Sequence, residues 1–179
     1  EKDNQDKRHC STAASAVIIP SDPNEGPGGP ILVVSSTSNP FSRYPVEILR
    51  AEGLNEFSAM DISAVTSTIL NNYDVVLLGE MTLTAAQVTI FTNWVTAGGT
   101  FITFKPDSKL LGLLGITAAT GTMSDKYLLV NTASGPGVGI VNQTIQYHGI
   151  AKRYTLNGAT SLATLYSSSS TATIYPAIT

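Results

Sequence analysis

The sequence predicts an α/β fold with a mostly parallel sheet, and two observations support this. Four short apolar runs lie between residues 30 and 107, and stretches with helical spacing of apolar residues separate them. Strands that are apolar at every position are typical of parallel sheets, which are covered on both faces. The four runs are residues 31–35, 57–60, 74–79 and 100–104.

Each of the three predicted helices has a recognisable start. Pro45 suits the first turn of the first helix, which Gly53 ends. Asp61 or Ser63 can cap the second helix, and Thr84 can cap the third. Right-handed crossovers would lay these βα units into a three-layer, flavodoxin-like (Rossmann-like) arrangement.

The pattern changes after residue 107. A short helix over residues 109–114, closed by a glycine, is followed by β-rich runs that Gly, Ser and Asn separate. These runs predict a β-rich C-terminal excursion of hairpins packed on the sheet edge. They cover residues 127–130, 143–147, 161–166 and 171–175.

The N-terminal region is predicted to be a leader and linker over residues 1–29, with one domain over residues 30–179. Residues 22–30 are too rich in Pro and Gly for a helix or an interior strand, while residues 13–19 predict one short edge strand. Cys10, the only cysteine, cannot form an internal disulfide and is either free or paired with a neighbouring segment. Such a linker usually separates modules, so we expect further domains of a longer polypeptide as partners.

The composition argues against nucleic-acid binding and membrane insertion, and it favours a secreted module. The net charge of −3 argues against nucleic acid as a partner, and no run approaches the roughly 20 apolar residues that span a bilayer. The first residues are polar and no apolar signal region follows, so we expect a mature or excised segment. Charged residues make up only 13%, and a sparsely charged surface rich in Ser and Thr is typical of secreted bacterial modules.

Candidate functional residues follow the predicted strands, because ligands of such folds bind at the carboxyl ends of the strands. Glu80 and Asp107 are candidates for general acid–base catalysis, and Lys105 can form an ion pair with Glu80 across the loop. The alternative is structural: Glu80 accepts backbone donors, while Asp107 or Ser108 caps the next helix.

The other candidates are a histidine and four ligand-binding side chains, one of which is Lys105. His148, the only histidine of the predicted domain, is a candidate base or a hydrogen-bonded structural residue. Ser36 and Asn39 occupy the first loop, and Tyr147 is an aromatic side chain that can stack on a sugar. No metal site is predicted without a second histidine or a thiolate pair, and no cofactor is predicted because the Gly-rich residues 134–139 do not fit a phosphate loop.

Three segments together resemble the class I glutamine amidotransferase-like superfamily, in particular its trehalose-utilisation-type and β-galactosidase-trimerisation-type branches. They are residues 29–36 (GPILVVSS), 73–80 (YDVVLLGE) and 94–99 (WVTAGG). Residues 30–179 also resemble a module of large secreted bacterial proteins of unknown role.

The resemblance implies a nucleophilic cysteine in the sharp turn after a central strand. Here that turn is Gly79-Glu80-Met81, so glutamine hydrolysis is set aside, and the accompanying His-Glu pair is not carried over. Non-catalytic branches of this superfamily serve in assembly or ligand binding. The fold usually continues with further strands, which leaves open that the sheet is truncated at Thr179.

Three functions follow as hypotheses. The first is a non-catalytic module of a larger secreted or cell-surface bacterial protein that serves assembly or binds a glycan or other ligand. The second is a hydrolase on a carbohydrate or amide substrate that uses Glu80, Asp107 and His148. The third is a structural subunit that self-associates through an open sheet edge.

Overall fold

A four-stranded parallel sheet forms the centre of the α/β structure, a computed structural model that describes residues 28–179. The strand order is β2-β1-β3-β4, and all three pairings are parallel. This confirms the predicted parallel sheet, whereas the strand predicted over residues 13–19 and Cys10 lie outside the described residues. The strands are β1 (Ile31–Ser35), β2 (Phe57–Asp61), β3 (Val75–Leu78) and β4 (Thr100–Thr103).

Three helices connect these strands: α1 (Tyr44–Ala51), α2 (Ser67–Leu70) and α3 (Ala85–Thr96). A 3-10 turn, Pro40–Arg43, precedes α1. The predicted cap of α3 is confirmed, because Thr84 forms a reciprocal capping box with Gln87.

The prediction for the second helix is wrong. Asp61 accepts hydrogen bonds from the N–H and the hydroxyl of Ser63, which closes only one 3-10 turn, Ile62–Ala64. Val65 then adopts an extended backbone, and Thr66 caps a helix of four residues. A local side-chain bond has therefore replaced most of the expected helix.

Both faces of β1 are buried. Leu32 and Val34 pack with the α3 side chains Phe91 and Trp94, whereas Val33 packs with Val46 of α1 on the other face. Alternate residues of a strand point to opposite faces, so β1 separates two hydrophobic clusters.

The prediction that all four strands are covered on both faces is wrong for β4. Phe101 packs into the cluster beneath α3, but Ile102 on the opposite face is 47% exposed. The cause is the position of α1, whose Val46 packs on Val33 and Phe57 of β1 and β2 and leaves β4 uncovered on that face.

The C-terminal part is rich in antiparallel strands, as predicted. Four strands form a sheet in the order β10-β9-β6-β7, and β5 pairs with β8 in a separate ribbon. The ribbon strands were not predicted because their side chains are mostly small or polar. The six strands are β5 (Ile116–Ser124), β6 (Tyr127–Val130), β7 (Ile145–Gln146), β8 (Ile150–Leu156), β9 (Ala163–Tyr166) and β10 (Ala172–Ile178).

The helix predicted over residues 109–114 is also wrong. Only a 3-10 turn, Ser108–Leu110, forms there, and Asp107 caps it. Gly115, the predicted stop, has a φ of +65°, and its carbonyl accepts hydrogen bonds from the N–H groups of Asn157 and Ala159. The chain therefore turns into β5 instead of extending the helix.

Two glycines allow close approaches that a side chain would block. A Cβ on Gly79 would lie 2.5 Å from the Cβ of Ser42, and one on Gly99 would lie 2.4 Å from the Trp94 ring. Gly79 follows β3 directly and donates its N–H to the Val34 carbonyl of β1 at 3.1 Å. The absence of a side chain at Gly79 thus brings the loop after β3 against the loop after β1.

Gly79→Ala is expected to lower the free energy of unfolding by about 1–3 kcal/mol, because Ser42 and its backbone must move. The matched control is Gly112→Ala, since a Cβ there would meet no atom within 4 Å. The control is expected to leave stability unchanged or raise it by about 0.4–1 kcal/mol. Urea unfolding of both variants tests this, and equal midpoints would contradict the packing described for Gly79.

Candidate functional site

The loops after β1, β3 and β4 line a depression of about 540 Å³, which we call the carboxyl-edge cleft. Its position agrees with the rule that ligands of parallel sheets bind at the carboxyl ends of the strands. Charged, amide and hydroxyl side chains line most of it: Ser38, Asn39, Glu80, Met81, Thr82, Lys105, Asp107, Ser108, Lys109 and Lys152.

Hydrogen bonds fix the first loop of the cleft. The Asn39 side-chain amide donates to the Glu80 carbonyl at 2.9 Å, and its oxygen accepts the Phe41 N–H at 3.2 Å. Ser36, a predicted ligand-binding residue, does not line the cleft; its hydroxyl shares a 2.8 Å hydrogen bond with that of Ser38, which does. Asn39 is thus held in the cleft, and Ser36 contributes by positioning Ser38.

Glu80 and Lys105 form the ion pair that the sequence predicted. Lys105 Nζ lies 3.3 Å from Glu80 Oε2, and the two side chains are 42% and 43% exposed. Lys105 has a φ of +42°, a left-handed backbone that is uncommon outside glycine and that follows the end of β4. Both charged groups remain accessible to a ligand.

Asp107 has a different environment, since its side chain is only 6% exposed. The carboxylate accepts the backbone N–H groups of Leu83 and Lys109, each at 2.9 Å, and Lys109 Nζ lies 3.3 Å from both oxygens. Lys109 Nζ also donates to the Leu83 carbonyl at 3.0 Å. Asp107 therefore ties the loop after β3 to the loop after β4, and it performs the capping role weighed for it.

These contacts set the protonation of Asp107. Burial is the largest single influence and acts to raise its pKa, but hydrogen bonds from Lys109 and Leu83 and the Lys109 charge together lower the pKa below its ordinary value. The carboxyl is consequently ionised at neutral pH and already occupied by donors.

Strand β8 contributes two residues to this region, of which Lys152 was not assigned to the site from the sequence. Lys152 lines the cleft, and Tyr154, two positions on, shares its strand face. Burial, followed by the charge of Glu80, raises the pKa of Tyr154, whose buried hydroxyl has no hydrogen-bond partner within residues 28–179. In the sequence, the spacing of two residues between Lys152 and Tyr154 indicates that they share a strand face. It does not indicate where that strand lies, which depends on the pairing of β5 with β8.

His148 and Tyr147 do not join the cleft lining. His148 is 82% exposed, with Nδ1 3.8 Å from Asp125 Oδ1. The Tyr147 hydroxyl donates to the Met123 carbonyl at 3.2 Å, and burial raises its pKa most, with Asp125 adding to the effect. The structure thus brings Glu80, Lys105, Asp107 and Asn39 together and leaves these two elsewhere.

Residues 28–179 contain neither a group of side chains suited to a metal ion nor a helix suited to crossing a membrane. No group of three or more His, Cys, Asp or Glu side chains in residues 28–179 could hold a metal ion. Over the same residues, no helix has the length and hydropathy needed to cross a bilayer.

The cleft is suited to hydrogen bonding. Its three lysines outnumber its two carboxylates, and each carboxylate contacts one lysine. Lys152 forms no ion pair with another residue of the described part of the chain. Ammonium, carboxylate, amide and hydroxyl groups together can donate to and accept from a polyhydroxylated ligand.

Comparison with known proteins shows similarity of fold. No protein-family model matches the sequence, and a search of curated proteins finds no match. Among solved structures, α-L-fucosidase isoenzyme 2 from Paenibacillus thiaminolyticus is similar over 77% of this chain, with a TM-score of 0.60 and 16% identity. Exo-β-1,4-mannosidase Op5Man5 from Opitutaceae bacterium strain TAV5 is similar over 83% of this chain, with a TM-score of 0.55 and 12% identity. The chain spans only 23% and 31% of those proteins, respectively.

Asp107→Asn is expected to lower the free energy of unfolding at pH 7 by about 1–3 kcal/mol, because the new amide turns donors towards backbone N–H groups. The pKa of Asp107 is lowered in the folded state, so its stabilisation is present above the unfolded pKa of about 3.9 and is lost as pH falls through the folded value. The difference between wild type and variant should therefore shrink below about pH 4.

Urea unfolding at pH 7 and at pH 3 measures this difference. Asp74→Asn is the matched control, since Asp74 is exposed. A stability loss for Asp107→Asn that is no larger than that of the control at pH 7 would contradict the role assigned to the carboxylate.

Proposed function

We propose that this chain is a non-catalytic, saccharide-binding module of a larger secreted or cell-surface bacterial protein, with the carboxyl-edge cleft as its binding site. The observation that carries the proposal is the occupation of Asp107 by the N–H groups of Leu83 and Lys109 and by the Lys109 ammonium. With that carboxylate occupied, the cleft keeps groups for binding hydroxyls but lacks a free pair of carboxylates.

The accessible groups suit a saccharide. Glu80 and Lys105 are exposed, and an ion pair at the surface contributes only about 0–1 kcal/mol to stability, so either group can turn to a ligand hydroxyl at small cost. Lys152 and Ser38 add further hydrogen-bond donors to the lining of the cleft. The hydrogen bond from the Asn39 side chain to the Glu80 carbonyl holds the two loops in place before a ligand binds. This lowers the entropic cost of binding.

The similar structures support the link to carbohydrates. Both are named as glycosidases, a fucosidase and a mannosidase, and the chain spans about a quarter and a third of their lengths. Both the names of these proteins and the small share of their length that the chain spans are compatible with a module of a larger carbohydrate-active protein. The low share of charged residues supports secretion.

We also propose the finer assignment of the fold. The observed strand order, β2-β1-β3-β4, matches the first four strands of the flavodoxin-like order. Helices packed on opposite faces of β1 support a three-layer arrangement. Kinship with the class I glutamine amidotransferase-like superfamily rests on the quoted sequence segments and on this strand order.

Hydrolysis has less support. A glycosidase of the usual type needs two carboxyl groups beside the scissile bond, one of them a general acid with a raised pKa. The pKa of Asp107 is lowered instead, and His148 lies outside the cleft, with Nδ1 3.8 Å from Asp125 Oδ1. Glu80 would have to act without either of its proposed partners.

Binding in the cleft predicts that Lys105→Ala and Glu80→Gln each weaken saccharide binding roughly fivefold, the value of about one hydrogen bond. Isothermal titration of the full chain with neutral and uronic-acid oligosaccharides measures this. Glu47→Gln, an exposed position on α1, is the control and should bind as the wild type does. Unchanged affinity in both cleft variants, or shortened oligosaccharides after incubation with the wild type, would overturn the proposal.

Self-association is a second candidate, favoured by β4, which is an edge strand of the parallel sheet and is uncovered on one face. Ile102 and Phe104, in and after the edge strand β4, are 47% and 45% exposed. If this edge pairs with a second copy, the wild type should dimerise and Ile102→Lys should be monomeric, because edge lysines block strand pairing. Light scattering after size exclusion checks this, and a monomeric wild type at high concentration would reject it.

A further inference from the structure

We propose a second binding site, for a neutral saccharide, on the antiparallel four-stranded sheet. It is a depression of about 460 Å³, which we call the sheet-face site. Its residues are separate from those of the carboxyl-edge cleft, so the two proposals stand or fall independently. The lining consists of Leu129, Asn142, Gln143, Thr144, Tyr166 and Ser169.

Strand register forms the floor of the site. Tyr127 lies opposite Tyr166, and Leu129 lies two residues further along β6, so all three share one face of the sheet. Ala163 and Leu165 of β9 point to the other face and are buried. Tyr166 and Leu129 are only partly buried, which leaves an aromatic ring and an aliphatic side chain side by side at the surface.

Hydrogen bonds hold the rim of the site. The Thr144 hydroxyl donates to the Ser169 carbonyl at 2.9 Å and joins the segment before β7 to the turn between β9 and β10. Within that turn the Ser168 hydroxyl bonds to the Thr171 hydroxyl at 2.9 Å. The rim is therefore formed before any ligand binds, which reduces the cost of ordering.

Two amide side chains on the rim are available to a ligand. Asn142 and Gln143 are exposed, and neither side chain bonds to another residue of the part of the chain that the structure describes. Each primary amide offers two N–H donors and one carbonyl acceptor, which matches neighbouring hydroxyls of a sugar ring. Tyr166 supplies an apolar surface for the C–H side of such a ring.

The charge of the site selects a neutral ligand. None of the six lining residues carries a charge at neutral pH, so an anionic or cationic ligand finds no counter-charge. This separates the site from the carboxyl-edge cleft, which is lined by three lysines and two carboxylates. A sugar without ionised groups can stack on the Tyr166 ring and form hydrogen bonds with the amides of Asn142 and Gln143. A neutral saccharide is therefore the ligand class that matches this lining.

Nuclear magnetic resonance titration of the full chain with cellohexaose, mannohexaose and xylohexaose tests the proposal. At least one of them should shift the side-chain amide signals of Asn142 and Gln143 at concentrations up to about 10 mM, the range of weak single-site binding. Shifts at Gln143 and Tyr166 without shifts at Lys105 would separate this site from the cleft.

Variants then assign the contacts. Tyr166→Ala should weaken binding roughly tenfold, whereas Tyr166→Phe, which keeps the ring, should stay within about twofold of wild type. Gln143→Ala should weaken binding roughly fivefold, and it removes a side chain with no structural bond, so folding is not at risk. Gln146→Ala is the matched control, because Gln146 is exposed nearby but does not line the site.

Three results would overturn the proposal: no shift with any of the three oligosaccharides, shifts confined to the carboxyl-edge cleft, or Gln143→Ala binding as tightly as Gln146→Ala. Loss of binding in Gln143→Ala with an intact fold and an unchanged cleft would support it. Failure at the cleft with success here would reject the cleft as a binding site and leave the sheet-face site standing.

Discussion

Leu32, Val33 and Val34 of β1 have no solvent exposure, because side chains from α3 cover one face of the strand and side chains from α1 cover the other. Each fully buried side chain of this kind contributes about 1.5–3 kcal/mol before the entropic cost of ordering the chain. β1 lies between β2 and β3 and pairs with both in parallel register, so that Val34 lies opposite Met60 and Leu78. The loops that form the carboxyl-edge cleft meet because that register aligns the strand ends.

The cleft divides its polar groups between two tasks. Asp107 and Asn39 hold the loops together through the backbone of Leu83, Lys109 and Glu80. Glu80 and Lys105 pair at the surface, where water or a ligand can replace either partner. Asp107, whose oxygens already accept hydrogen bonds, maintains the shape of the cleft, whereas the exposed Glu80–Lys105 pair can exchange partners. These two properties suit ligand binding better than catalysis.

Much of the parallel sheet could be predicted from sequence because its signals are local. Continuous apolar runs marked the strands, Thr84 marked the start of α3, and the loops after β3 and β4 placed Glu80 beside Lys105. The prediction of the second helix was wrong because a hydrogen bond between Asp61 and Ser63 closes a single turn. The spacing of apolar residues does not indicate that bond.

The remaining site residues depend on contacts between distant segments. Lys152 reaches the cleft only because β8 pairs with β5, and both strands consist mainly of small or polar side chains with weak periodicity. Tyr166 and Gln143 meet through the pairing of β9 with β6 and of β6 with β7. Such pairings follow from tertiary packing, and a single sequence carries little information about them.

Hydrogen–deuterium exchange of the full chain, with and without the oligosaccharide for which isothermal titration gives the highest affinity, tests the central claim most directly. We expect slower exchange in residues 36–42, 79–84 and 104–109, whose backbone amides form the three loops of the cleft. Unchanged exchange in all three loops at a saturating oligosaccharide concentration would contradict binding at the carboxyl ends of the parallel strands.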